Sequence, residues 1–220
     1  MTSKGIHVRS ARLRRTAVVV AAVVATFALG ACGADAPGAA AVVGGQEVKL
    51  AQVADSVAEV RAQLLADPKA TFSEAKVTAT NVNRLTRHLV VQEAVRRLGV
   101  TVTQAAIDDI ISSSVDGQFG GNRARFELVL AIQQSVPASA IEAFAGDVVA
   151  QNLLAAKLLP DGTQEAQGNG LRDYFVKLSG SLEVRVAARF GVWDPAKDSL
   201  GPVSNELSAP GVVPSSAPSN

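Results

Sequence analysis

Leu29-Gly30-Ala31-Cys32 constrains this chain most, because it closes a leader and commits the one cysteine of the sequence. Lys4, Arg9, Arg12, Arg14 and Arg15 precede it with no acidic residue. An apolar run over residues 17–29, broken only by Thr26, completes the layout of an export signal. The run is shorter than the roughly 20 apolar residues that span a bilayer. Leu followed by two small residues and Cys looks like a lipobox, in which Cys32 is acylated and becomes the first residue of the mature chain. The plainer alternative is an ordinary secretory signal with an incidental cysteine. With the thiol consumed by lipid, no disulfide, thiolate ligand or thiol nucleophile remains. An exported domain must then be stable on core packing alone.

Cleavage after residue 31 leaves enough chain for one domain of ordinary size. It also removes five of the 21 basic residues, so 16 Lys and Arg face 20 Asp and Glu. A mildly acidic chain with 4% aromatic residues offers neither the basic patch nor the stacking platforms of nucleic-acid binding. His7 leaves with the leader. His88 is then the only histidine, which excludes a multi-histidine metal site and makes any Ser-His-Asp arrangement depend on this residue. It lies beside Arg84 and Arg87 in a helical pattern, which reads as a solvated face rather than a catalytic centre. Asp108-Asp109 point about 100° apart on a helix and read as surface. No catalytic residue, metal site or cofactor is assigned.

Residues 32–40 form a short lipid-anchored tether, small in composition and containing Pro37. Ala41-Val42-Val43-Gly44-Gly45-Gln46-Glu47-Val48 reads as two extended arms about a tight Gly-Gly bend, and needs a partner strand from elsewhere. Leu50, Val53, Val57, Val60 and Leu64 define a first helix that stops near Asp67-Pro68. A longer helix starts after Thr71 or Ser73 and runs to Leu98, with Val82, Leu85, Leu89, Val95 and Leu98 on one face. Arg84, Arg87, Arg96 and Arg97 occupy its exposed face, and Gly99 ends it. Thr103 caps a third helix reaching about Ser114, with Val102 and Ile107 set for a hydrophobic staple. Gly117, Gly120 and Gly121 around Phe119 read as a mobile loop, since neither a preceding strand nor a following Lys-Ser/Thr supports an anion-binding loop. A fourth helix spans residues 123–134. Ser139-Ala140-Ile141-Glu142 has the spacing of a capping box opening a fifth, which carries Ile141, Phe144, Val148, Leu153 and Leu154 to about Leu159. Residues 160–170 read as a flexible connector and 171–178 as a short last helix. Residues 182–188 alternate apolar and polar, the natural strand partner for residues 42–48. The tail from residue 195 is dominated by Pro, Ser, Gly and Ala and reads as disordered.

This order of elements resembles the SurA/PrsA-type bacterial extracytoplasmic chaperones over residues 41–194. The resemblance is carried by Val42-Val43-Gly44-Gly45-Gln46-Glu47-Val48, by Val100-Thr101-Val102-Thr103-Gln104-Ala105-Ala106-Ile107-Asp108, and by Val184-Arg185-Val186-Ala187-Ala188-Arg189-Phe190-Gly191-Val192-Trp193-Asp194. It implies a mainly α fold: a five- to six-helix chaperone-type domain with a small β element pairing the N-terminal and C-terminal segments. In that family a parvulin-type prolyl isomerase domain is often inserted, and here its place holds only residues 160–170. The resemblance thus implies a non-enzymatic chaperone or holdase for unfolded or exported polypeptides, anchored on the extracytoplasmic face of the membrane through Cys32. The competing reading is a structural or adaptor lipoprotein with one envelope partner. Val57, Leu85, Leu89, Phe126, Phe144 and Val148 are the apolar residues expected either to bind clients or to fill the core. Met1 is the only methionine, so a client groove here lacks the adaptable side chains that often line such surfaces.

Overall fold

The computed structural model describes residues 36–203. The expected signal peptide, Cys32 and the first part of the expected tether lie outside the described residues, as do residues 204–220.

The chain enters as β1 (Ala39–Val43), turns at Gly44-Gly45 and returns as β2 (Gln46–Lys49). Val43 pairs with Gln46, which leaves a two-residue loop whose glycines sit at φ +54° and +87°. Such turns need positive φ at both central positions, hence the paired glycines. All five residues of β1 are buried. Its free edge is taken by β3 (Arg185–Val186), antiparallel, with Ala41 opposite Val186 and Val42 opposite Arg185. Hydrogen bonds from the Gly44 N–H to the Leu182 carbonyl and from the Ala187 N–H to the Ala40 carbonyl extend the pairing. The small β element therefore joins the two ends of the domain as the alternation in residues 182–188 predicts, although only two of those residues form regular strand.

Among the described residues six α-helices follow the hairpin: α1 (Leu50–Leu65), α2 (Glu74–Leu98), α3 (Gln104–Phe119), α4 (Arg123–Gln134), α5 (Ile141–Leu158) and α6 (Gln164–Ser181). The 25-residue α2, about 37 Å long, is the central post and packs against α1, α5, α6 and β1. It buries side chains toward several neighbours, so Asn81, Thr86, Val90, Val91 and Ala94 are enclosed besides the expected Val82 and Leu85. Gly99 ends α2 in the left-handed conformation at φ +57°, and Thr103 caps α3 by accepting the Ala106 N–H. Four apolar clusters hold the described residues together. One joins β1, α2, α5, α6 and Trp193; a second joins the hairpin to α1 and α2; a third lies among α3, α4 and α5; a fourth lies among α1, α2 and α4. Leu154 and Ile141 of α5 are among the most enclosed, each side chain worth about 1.5–3 kcal/mol of burial.

Several expectations are corrected. α3 continues through Gly117, because Ile111, Val115 and Phe119 extend one stripe and the Phe119 and Phe126 rings pack edge-to-face, their centroids 5.5 Å apart. Phe119 is therefore half-buried rather than in a mobile loop. The capping box at Ser139 does not form. A short 3-10 turn over Ala138–Ala140 precedes α5, and Ser139 gives its hydroxyl and N–H to Glu59 of α1 instead. Most of the expected connector is helical: α6 starts after Thr163, which accepts the Ala166 N–H. Gly170 acts there as a packing residue, since a Cβ would come within 2.7 Å of Leu159 Cδ1. Residues 195–203 of the expected disordered tail are ordered. β4 (Trp193–Asp194) pairs with β5 (Ser199–Leu200), Asp198 meets Arg87, and the Leu200 N–H donates to Asn83 Oδ1 at 2.7 Å. Gly191, at φ +122°, faces the Gly201 carbonyl so closely that a Cβ would lie 2.3 Å from its oxygen.

Candidate functional site

α1 carries more apolar surface than the core uses. Val53, Val60 and Leu64 point inward, whereas Ala54, Ala58 and Ala62, four residues apart, form an exposed ladder beside Val57 and Leu65. Together with Leu50, the start of α2 at Glu74 and Thr78, and Arg189 and Phe190 after β3, they line an open groove of about 580 Å³. Small side chains make its floor. Leu65, 68% exposed, stands at one end as the most exposed of the large apolar side chains described. Arg61 sits over the Phe72 ring at 5.6 Å and Arg189 over the Phe190 ring at 4.8 Å.

Another flank of α1 meets α2 and α5 in a polar cleft of about 460 Å³. The Ser56 hydroxyl donates to Asn81 Oδ1 at 2.6 Å, and the Arg84 guanidinium donates to the same oxygen at 2.7 Å and to Ser56 Oγ at 3.2 Å. Burial pulls the Arg84 pKa down, while the nearby Asp147 charge opposes that fall. His88 Nδ1 lies 2.8 and 2.9 Å from the two Asp147 carboxylate oxygens. A carboxylate only accepts, so Nδ1 is the donor in this pair. His88 is thus half-buried and bonded across α2 and α5, a correction to the solvated face expected for it, and Arg84 leaves that face with it. Arg87, Arg96 and Arg97 stay near the surface, paired with Asp198 or Glu93. The Ser56 hydroxyl and the Glu59 and Asp147 carboxylates of this cleft each bond across from one segment to another, an arrangement suited to holding α1, α2 and α5 in register. Asp108 and Asp109 are exposed, as the sequence indicates.

The six apolar candidates separate. Val57 lines the α1 groove. Phe126, Phe144 and Val148 come together in a smaller apolar cleft of about 220 Å³ between α3, α4 and α5. Leu85 is a core residue at the edge of the polar cleft, and Leu89 is half-buried between two clusters. The groove residues that sequence reasoning passes over are Ala54, Ala58, Ala62, Leu65 and Phe190. Their signal is the alanine ladder, a second apolar line on a helix already supplied with one. The polar cleft has a signal too: Ser56 stands in the Val53, Val60, Leu64 stripe and Asn81 stands between Val77 and Leu85, polar residues at core spacing.

A family model described as SurA-like N-terminal domain matches residues 8–154. The chain belongs to that family. The match covers two thirds of the sequence, from residue 8 through the hairpin to most of α5. Neither the curated proteins nor the solved structures give a match. The SurA-like N-terminal domain is a chaperone-type, extracytoplasmic module, and the matched residues include all of α1 and α2 and so most of the groove wall. β3 and the Arg189-Phe190 corner lie beyond the match. In this SurA-like domain the last part of the chain therefore completes both the sheet and the groove. Among the described residues no single helix is long and apolar enough to cross a membrane.

Proposed function

We propose that this chain is a membrane-anchored lipoprotein that holds exported polypeptides in non-native form, without catalysis, on the outer face of α1. The observation that carries the reading is the open apolar groove, with an exposed alanine floor and Leu65 standing in solvent. Contiguous apolar surface kept open on a folded domain marks an interaction site. A floor of small side chains suits many sequences, because it sets few shape requirements. Membership of a chaperone-type family supports the same reading, and the leader ending at Cys32 supports the anchor. Covering ~300 Å² of apolar surface at about 25 cal/mol per Å² gives a gross gain near 7.5 kcal/mol, much of it consumed by ordering and association. Micromolar capture is the expected strength.

The test uses the mature chain kept in solution by Cys32→Ser. It should slow the aggregation of several unrelated unfolded proteins, and Val57→Asp together with Leu65→Asp should abolish the effect without unfolding the domain. Prolyl isomerisation should keep its uncatalysed time of about 10–100 s. Co-purification of a single stoichiometric partner, with no unfolded protein held, would replace this reading by the adaptor.

A further inference from the structure

Two arginines give the groove a sign. Arg61 comes from α1 and Arg189 from the turn after β3, so the helical and C-terminal parts of the domain each contribute one. Both are exposed, and each guanidinium is held over an aromatic ring, Phe72 and Phe190. Among the described residues neither has an ion pair, in contrast to Arg87, Arg96, Arg97 and Arg123, which each lie within 3.2 Å of a carboxylate oxygen. Among the described residues Glu74 is the one acidic residue lining the groove, and it sits in the first turn of α2, where the helix dipole favours it. A guanidinium resting on a ring keeps its N–H edge free, and that edge matches a carboxylate in a bidentate pair.

We infer that the groove selects apolar polypeptide segments flanked by Asp or Glu, the apolar residues lying on the α1 floor and the carboxylates meeting Arg61 and Arg189. This deepens the holdase reading and rests on it. A segment flanked by Lys or Arg meets two cations outside any ion pair, against the single Glu74 carboxylate, and is disfavoured. Because the rim is exposed, the preference is modest and salt-sensitive, about threefold to tenfold in Kd between acidic and neutral flanks.

The experiment measures fluorescence anisotropy of three labelled peptides against the full mature chain carrying Cys32→Ser. The peptides share one Leu-Val-Phe core and differ in flanks of Asp, Ser or Lys. The expected order of affinity is Asp, then Ser, then Lys, with the differences collapsing at 1 M salt. Arg61→Glu with Arg189→Glu should invert the order, and Arg61→Gln with Arg189→Gln should flatten it, both variants keeping the helical circular dichroism of the parent. Equal binding of all three peptides, or an order unchanged in the double variants, overturns the charge selection while leaving the apolar groove intact. Failure of every peptide to bind, or binding of the Ser-flanked peptide undiminished by Val57→Asp, overturns the holdase reading as well. Capture by phosphatidylglycerol vesicles through the same arginines, with no ranking of peptides, would assign the rim to the membrane surface and overturn the proposal.

Discussion

At His88 a single ring nitrogen joins α2 to α5, and its partner Asp147 is the more enclosed of the two, 13% against 31% exposed. Removing the imidazole leaves that carboxylate with the neighbouring Arg84 charge and, among the described residues, no side-chain hydrogen bond. His88→Ala should therefore cost about 1–2 kcal/mol in denaturant unfolding, with client capture on the α1 groove unchanged. A loss of capture with stability intact would make the cleft functional rather than structural. Acid titration separates two other carboxylates. The Arg96 and Arg97 guanidinium hydrogen bonds hold Glu93 down at about 2, against an ordinary 4.5. Its stabilising contribution is complete above the ordinary value and fades as pH falls from there toward 2. Burial pushes Asp198 upward, against the opposing pull of Arg87. The folded state takes up that proton first, so protonating Asp198 favours the fold as pH drops through its raised pKa. Glu93→Gln should flatten the acid limb of the stability profile. Asp198→Asn should remove an opposing upturn just above the unfolded carboxylate range, and identical profiles for the two variants would contradict these assignments.

Among the elements, α1 is the one whose two apolar lines serve different ends, one packed on α2 and one left open. β1 is the most enclosed strand, and it depends on the chain's far end for its second neighbour. Cutting before Leu182 removes β3, the Leu182 carbonyl that receives the Gly44 N–H, and Trp193 from the largest cluster. That truncation should lower the melting temperature sharply. Ending the chain after Val203 should leave it nearly unchanged. Ending it after Asp198 removes β5, with Leu200 taken from its cluster and from Asn83, and should fall measurably between the two. Equal melting temperatures for all three would reduce the terminal hairpin to an appendage. Residues 164–170 belong to the same lesson. Glycines at 168 and 170 favour a flexible reading locally, yet the helix forms because Phe175 and Leu178 are buried further along it and Leu159 fills the space that Gly170 leaves open.

For the molecule as a whole, the proposed anchor and the groove can be tested separately. Cys32→Ser should move the protein from the membrane to the soluble fraction, since stable attachment needs two acyl chains or a second signal. Membrane fractionation in high salt checks this, and a Ser variant that stays bound would refute the anchor. The sequence by itself determined the features that rest on local backbone chemistry. Pro68 bars further helix after α1, Gly99 supplies the left-handed cap of α2, Thr103 accepts an orphan N–H of α3, and Gly44-Gly45 makes the hairpin turn. Alternation in residues 182–188 likewise named the partner of β1, because a buried strand with a free edge must find one. Only the tertiary structure decided what depends on neighbours distant in sequence. Ser139 turned from helix cap to Glu59 ligand because α1 arrives beside it. His88 and Arg84 were drawn off a solvated face because α5 brings Asp147 against α2. The open line of α1 became a groove because residues 189 and 190, more than a hundred positions away, wall it. A helical period fixes which residues share a face, and only packing decides whether that face is covered.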